Sequence, residues 1–193
     1  MDNNKKTKCD LIVIDNFYDN PLEVREFALS CEYSKENYYP GKRTISYSND
    51  ILKEKIESIV YPFSGKLTSF KSYDTDNGCF QILTKTDETW IHKDNNGIKW
   101  GGIIFLTPDA PINSGTGFFK FKGDNKESGY SERHDSSENA IDKTKWEMID
   151  YVGNVFNRLI LFNSQILHQG LNYFGNNDNN GRLIQVFFFN TEY

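Results

Sequence analysis

Hydrophobic and polar positions change period along this chain, and the changes mark its elements. Leu11-Ile12-Val13-Ile14 is a short apolar run that predicts a first strand, and residues 16–21 have the turn chemistry that leads into a helix. Asn20 is placed to cap that helix, Pro21 suits its first position, and Glu23 stands three residues after the cap. Val24, Phe27, Ala28 and Cys31 then recur at i, i+3, i+4 and i+7, so one apolar stripe faces a core. The same period returns in Leu52, Ile56, Ile59, Val60 and Phe63 and predicts a second helix over about 50–60, with Pro62 discouraging continuation. Between the helices, residues 38–43 (Tyr-Tyr-Pro-Gly-Lys-Arg) read as a turn carrying aromatics and an arginine.

From Lys66 onwards the pattern is that of strands, at roughly 67–73, 79–84, 89–91, 100–106, 117–122, 158–162, 166–169 and 182–189. Eight short strands with polar connections predict a sandwich or jelly roll. In the last of them Arg182, Ile184, Val186 and Phe188 share one face, and Leu183, Gln185, Phe187 and Phe189 the other. Both faces are mainly apolar, so this strand is expected at the centre of a sheet. An arginine among such face-mates needs an anionic partner, because desolvating it unpaired is costly. Residues 122–142 are polar and read as an insertion or lid, in which His134 is a solvated loop residue. Beyond it, Ile141, Lys145, Met148, Ile149 and Val152 approximate helical spacing up to Gly153, predicting a third helix.

Composition narrows the picture. At 193 residues the expectation is one domain, with residues 1–65 as an N-terminal helical buttress and 66–193 as a jelly-roll core. A mean hydropathy of -0.64 argues against a membrane span, and the apolar run after the basic residues 1–8 is too short for a secretory signal, so a cytoplasmic location is expected. Cys9, Cys31 and Cys79 are far apart without CxxC spacing, which indicates neither a disulfide framework nor a zinc knuckle. The net charge of -5 lacks the basic excess of nucleic-acid binders, so nucleic acid is not an expected partner.

Candidate chemistry gathers in three stretches: residues 90–94 (Trp-Ile-His-Lys-Asp), the apolar strand reaching His168, and the strand opened by Arg182. His92 and Asp94, two apart, point to the same side of an extended segment, and the turn that follows at 95–97 puts them at a strand end. Neutral imidazole with carboxylate suits Fe(II), and three protein ligands on one face leave the opposite face open. A His-x-Asp triplet alone arises by accident in roughly one chain in four of this composition. The order of the whole set is what carries weight.

In that order the chain resembles the Fe(II)- and 2-oxoglutarate-dependent oxygenases of the double-stranded β-helix fold, nearest the prolyl-hydroxylase-like and phytanoyl-hydroxylase-like groups, over about residues 67–190. The resemblance implies a cupin-like jelly roll, mainly β with flanking α-helices. It implies iron ligands His92, Asp94 and His168, with Arg182 on the distal carboxylate of 2-oxoglutarate, and a glycine-containing strand at Gly115-Thr116-Gly117. Prolyl hydroxylases use a lysine nearer the distal histidine, so the arginine after a long Asn-rich loop weakens any case for proline as substrate. Gln81 and Tyr73 are candidate second contacts to the keto acid, although an outward-facing strand residue is the preferred reading of Gln81. Arg43 and Arg158 could meet an anionic substrate, against a favoured reading as surface ion pairs, and Trp90 and Trp100 could wall the substrate pocket, against a core reading. The implied reaction uses Fe(II), 2-oxoglutarate and O2 to hydroxylate a C–H bond of a small molecule, amino acid or peptide, releasing succinate and CO2. Two alternatives keep the fold: a cupin-like metal enzyme without the keto acid, and a non-catalytic binding module.

Overall fold

The computed structural model describes residues 9–36, 39–70, 77–94, 97–122 and 142–192. In chain order they form β1 (Leu11–Ile14), α1 (Pro21–Ser30), β2 (Lys42–Ser46), α2 (Asp50–Ser64), β3 (Lys66–Ser69), β4 (Cys79–Leu83), β5 (Trp100–Phe105), β6 (Thr116–Phe121), β7 (Trp146–Val152), β8 (Leu159–Asn163), β9 (His168–Gly170) and β10 (Arg182–Glu192). The main sheet has the order β1-β8-β5-β10-β4-β2, with β3 paired to β10, and a second sheet runs β7-β6-β9. All pairings are antiparallel. This is the expected architecture, mainly β with two flanking helices, a jelly roll of the double-stranded β-helix kind.

Strand β10 is central, as its two apolar faces require, held between β4 and β5. Its Leu183, Phe187 and Phe189 pack with Ile104, Leu159 and Leu161 under Ala28 of α1 and Leu52, Ile56 and Val60 of α2. Its Ile184 and Val186 look the other way, toward Phe105, Phe118, Ile160 and Phe162 between the sheets. A third cluster, Ile91, Phe119, Trp146 and Leu167, covers the outer face of the second sheet. Side chains such as Ile56 and Val60, fully buried, each contribute about 1.5–3 kcal/mol by leaving water.

Several boundaries differ from the sequence expectation. Residues 146–152 form strand β7 rather than a helix, preceded by a single 3₁₀ turn at Lys143–Lys145. The reason lies in its register with β6: Phe118 faces Asp150 while Phe119 faces Met148, so Ile149 is an extra residue at a β-bulge. The bulge lets Trp146 pack outward and Val152 inward, and this break in alternation is what imitated helical spacing. Helix α2 runs on to Ser64 with Pro62 in its last turn, and Asn49 caps it by accepting from the Leu52 amide at 2.9 Å. Asn20 makes no side-chain cap at α1.

The N-terminal third is more than a buttress, because β1 and β2 are the two ends of the main-sheet path. Of the expected turn at 38–43, residues 39–41 do bend, while Lys42 and Arg43 already belong to β2, which is entered through Gly41 at φ 73°, where a Cβ would meet the Ile82 carbonyl oxygen at 2.2 Å. The expected strand at 89–91 does not form, a single bridge being made by His92 just after it, and His168 opens β9 instead of ending a strand. Tyr73, His134 and nearly all of the polar insertion lie outside the described residues. Among the described residues no helix is long and apolar enough to cross a membrane.

Candidate metal centre

One antiparallel bridge sets both histidines. His92 N donates to the His168 carbonyl at 3.0 Å, and His168 N donates back to the His92 carbonyl at 2.9 Å, which brings the ring centroids to 4.5 Å. Two residues on, Asp94 N donates to the Ser164 carbonyl at 3.0 Å, and Ser164 is tied to the chain before β5 by its hydroxyl on the Ile98 carbonyl. His92, Asp94 and His168 thus offer ligand atoms that all lie within 4.8 Å of one another, with His168 Nε2 3.7 Å from Asp94 Oδ1.

Each imidazole is oriented in the same way. Nδ1 of His92 lies 2.9 Å from the Trp90 carbonyl and Nδ1 of His168 lies 2.8 Å from the Ile166 carbonyl. A carbonyl only accepts, so Nδ1 carries the proton and Nε2 keeps its lone pair for a metal. Burial, reinforced at His92 by the neighbouring His168, lowers both histidines to about 4. Burial raises Asp94 to about 6 against the pull of His92 and Arg43. Near pH 7 the set is therefore two neutral imidazoles and one carboxylate, the protonation that a divalent cation needs.

The surroundings fit such a cation. Asp94 Oδ2 is buried without a hydrogen-bond partner, an orphaned acceptor of the sort a metal or its ligands satisfy. Room for it comes from β5, where a Cβ on Gly101 would stand 2.7 Å from that oxygen. His168 rests on Phe162, ring centroids 4.6 Å apart, which keeps the metal face of the imidazole fixed.

Deeper between the sheets lies Arg182, only 2% exposed. Its Nε donates to the Ser114 carbonyl at 3.1 Å, its guanidinium lies 5.4 Å from the ring centroids of Phe105 and Tyr173, and its Nη2 has no partner. Burial pushes its pKa down, yet it stays a cation, and no acidic side chain pairs with it among the described residues. Thr116 follows two residues after Ser114 on the inward face shared with Phe118, fully buried, with its hydroxyl also unpartnered. A buried guanidinium with an idle Nη2 has the chemistry to receive an oxyanion.

The remaining candidates divide. Gln81 is buried and faces inward between Cys79 and Leu83, correcting the outward-facing expectation; its Oε1 accepts from Arg43 Nε at 3.2 Å and its Nε2 donates to the Pro40 carbonyl at 2.6 Å. Arg43, half-buried on β2, is directly opposite Gln81 in the pairing with β4, and its charge reaches His92, Asp94 and Tyr173. Trp90 is 36% exposed at the rim, its ring 6.0 Å from that of His92. Trp100 does not wall the pocket: it is buried on the outer face, donates to Ser64 and Thr191 and stacks on Phe189. Arg158 is engaged by Asp15 in a two-pronged pair at 2.6 and 2.9 Å, which lowers the Asp15 pKa, so it is not gathered into the site.

Comparison with known proteins places the fold. The model of a family of unknown function matches residues 2–189. No curated protein sequence matches the chain. Among solved structures, a prolyl hydroxylase from Trichoplax adhaerens in complex with a hypoxia inducible factor peptide fragment is 16% identical at a TM-score of 0.58, covering 94% of this chain and 84% of that one. HygX from Streptomyces hygroscopicus, solved with nickel, 2-oxoglutarate and hygromycin B, is 11% identical at a TM-score of 0.64, covering 94% and 83%. A Pseudomonas putida prolyl-4-hydroxylase is 12% identical at 0.53, covering 95% and 94%. The fold is that of the Fe(II)- and 2-oxoglutarate-dependent oxygenases.

Proposed function

The chain belongs to the DUF6445 family of unknown function, and from the site it carries we propose that it is an Fe(II)- and 2-oxoglutarate-dependent dioxygenase that hydroxylates a small molecule, amino acid or peptide. One observation carries this reading: a metal-competent His92–Asp94–His168 cluster shares the space between the sheets with Arg182, a buried cation whose Nη2 has no partner. A metal enzyme without an anionic cosubstrate has no use for such a cation, whose isolation from water is expensive. Two of the solved neighbours, one holding a hypoxia inducible factor peptide fragment and the other hygromycin B, support the breadth of the substrate class.

In this reading His92 Nε2, His168 Nε2 and one Asp94 oxygen hold the iron. Arg182 would take the distal carboxylate of 2-oxoglutarate, and the Nδ1 bonds to the Trp90 and Ile166 carbonyls keep both imidazoles aimed. Bound together, iron and keto acid supply the oxidant for C–H hydroxylation, with O2 consumed and succinate and CO2 released. The apolar walls of Phe118, Phe162 and Val186 keep water from that chemistry.

The test is an anaerobic titration of metal-free protein with Fe(II) and then 2-oxoglutarate, followed by the visible charge-transfer band of a chelated keto acid. We expect the band in the wild type, a requirement for at least about tenfold more 2-oxoglutarate in Arg182→Ala, and no band in His168→Ala. Metal binding without the band would favour the cupin-like reading; no metal binding would favour a non-catalytic module.

A further inference from the structure

Gln169 is a polar side chain in an apolar place. It follows His168 on β9, and alternation turns it to the outer face of the second sheet, away from the metal ligands. Leu167 and Leu171, two residues to either side, lie in or against the apolar cluster on that face, and Gly117 stands opposite Gln169 in the pairing with β6. Gln169 is only 2% exposed, and its Oε1 has no hydrogen-bond partner. An orphaned acceptor of this kind is costly, and a leucine or methionine would suit these surroundings better. What the amide does there is make one bond: its Nε2 donates to the Thr89 carbonyl at 3.0 Å.

Thr89 stands in the stretch that delivers His92. Residues 87–91 lie in no strand or helix, and the bridge between His92 and His168 is isolated, so a backbone ladder sets no register before His92. Ile91 packs into the outer cluster, but an apolar contact is non-directional and does not set the rotation of a peptide unit. At the Thr89 carbonyl the Gln169 side chain takes the place of the missing ladder. The next carbonyl along, that of Trp90, is the one 2.9 Å from Nδ1 of His92. His168 is supported differently. Its Nδ1 lies on the Ile166 carbonyl, and main-chain bonds fix that region: Ile166 N donates to the Asn163 carbonyl at 2.9 Å, and Phe119 N donates to the Leu167 carbonyl at 2.8 Å. One histidine is aimed by the main chain, the other through a side chain.

We propose that Gln169 is a positioning residue for the metal centre: its bond to the Thr89 carbonyl fixes the peptide units that lead into His92 and so holds Nε2 of that histidine on the metal. The inference takes metal binding from the dioxygenase reading and adds a residue on the far face of the second sheet. Partners that orient a ligating histidine are worth about 10–100-fold in metal affinity. A bond that merely ties the sheet together would act on stability and leave that affinity alone.

The experiment uses full-length protein and Co(II), whose visible bands report its coordination. Gln169→Met keeps the length of the side chain and removes the donor. We expect Co(II) to bind at least about tenfold more weakly to this variant, with altered bands, while the metal-free thermal midpoint shifts by less than about 4 °C. In metal-free protein the two amides of the His92–His168 bridge should exchange at least about tenfold faster, with those of β10 unchanged. Gln185→Met is the control, because Gln185 is buried with both ends occupied: Tyr18 donates to its Oε1, and its Nε2 donates to the Gly78 carbonyl at 2.9 Å. It should show the reverse pattern, a midpoint lower by more than about 4 °C and an unchanged Co(II) affinity. Gln169→Leu serves if Gln169→Met does not fold. The inference is overturned if both Gln169 variants fail to fold or lose more stability than Gln185→Met, if Co(II) affinity is unchanged, or if the bridge amides exchange at the wild-type rate. Failure of the wild type to bind Co(II) would instead overturn the dioxygenase reading, and exchange at the bridge would still decide whether Gln169 holds the stretch before His92.

Discussion

At the scale of single residues, burial acts in opposite directions on the ionisable groups of the site. It holds His92 and His168 down to about 4 and lifts Asp94 to about 6. Protons compete with a metal for each of these atoms, and the group with the highest pKa is protonated first as the pH falls. Asp94 is that group. Metal affinity is expected to be level above about pH 7, to fall by about tenfold per pH unit from 6 toward 4 as one proton displaces the metal, and to fall more steeply below 4. Competition titrations with Co(II) or Mn(II) at fixed ionic strength check this. A decline that starts at the ordinary histidine range and follows two protons would show that burial does not govern these groups.

The elements divide their labour between holding the fold and aiming the site. Helix α2 covers the outer face of the main sheet through Leu52, Ile56 and Val60, while the metal ligands lie on the other side. Its N-terminus is closed by Asn49 on the Leu52 amide, and losing such a cap costs about 1 kcal/mol. Asn49→Ala should lower the urea midpoint by the equivalent of about 1 kcal/mol while leaving Fe(II) and 2-oxoglutarate affinities unchanged. A parallel loss of ligand affinity would mean that the helix and the site are coupled through the sheet. Strand β7 shows how an element can mislead: a bulge at Ile149 places Trp146 and Val152 on opposite faces, and no single-strand periodicity reports a bulge that exists only against β6.

For the molecule as a whole, the buried Arg182 is a liability that ligand binding relieves. Leaving a buried polar group unsatisfied costs about 1–3 kcal/mol, so Arg182→Met, which keeps the length of the side chain and removes the charge, should stabilise the metal-free protein by about that amount. The wild type should gain about 2.7 kcal/mol at a 2-oxoglutarate concentration 100 times its Kd in the presence of metal, and the variant should gain little from the keto acid. Thermal unfolding with and without ligands measures both. A less stable Arg182→Met protein would indicate that Ser114, Phe105 and Tyr173 already satisfy the guanidinium.

What the sequence determined alone is what depends on local chemistry and strict alternation. The two apolar faces of residues 182–189 required a central strand, and the alternation put Arg182 inward with Ile184 and Val186. The His-x-Asp spacing put two ligand types on one side of an extended segment, and the resemblance that this motif carried pointed to the fold later seen. Tertiary structure decided the relations between strands distant in sequence: the bridge that sets His92 against His168, the glycine on β5 that makes room for Asp94, the approach of the Ser114 carbonyl to Arg182, and the register that puts Arg43 across from Gln81. The physical reason is that a side chain's face follows from its own strand, whereas its partner follows from hydrogen-bond register with another. Register is fixed only when the whole sheet assembles.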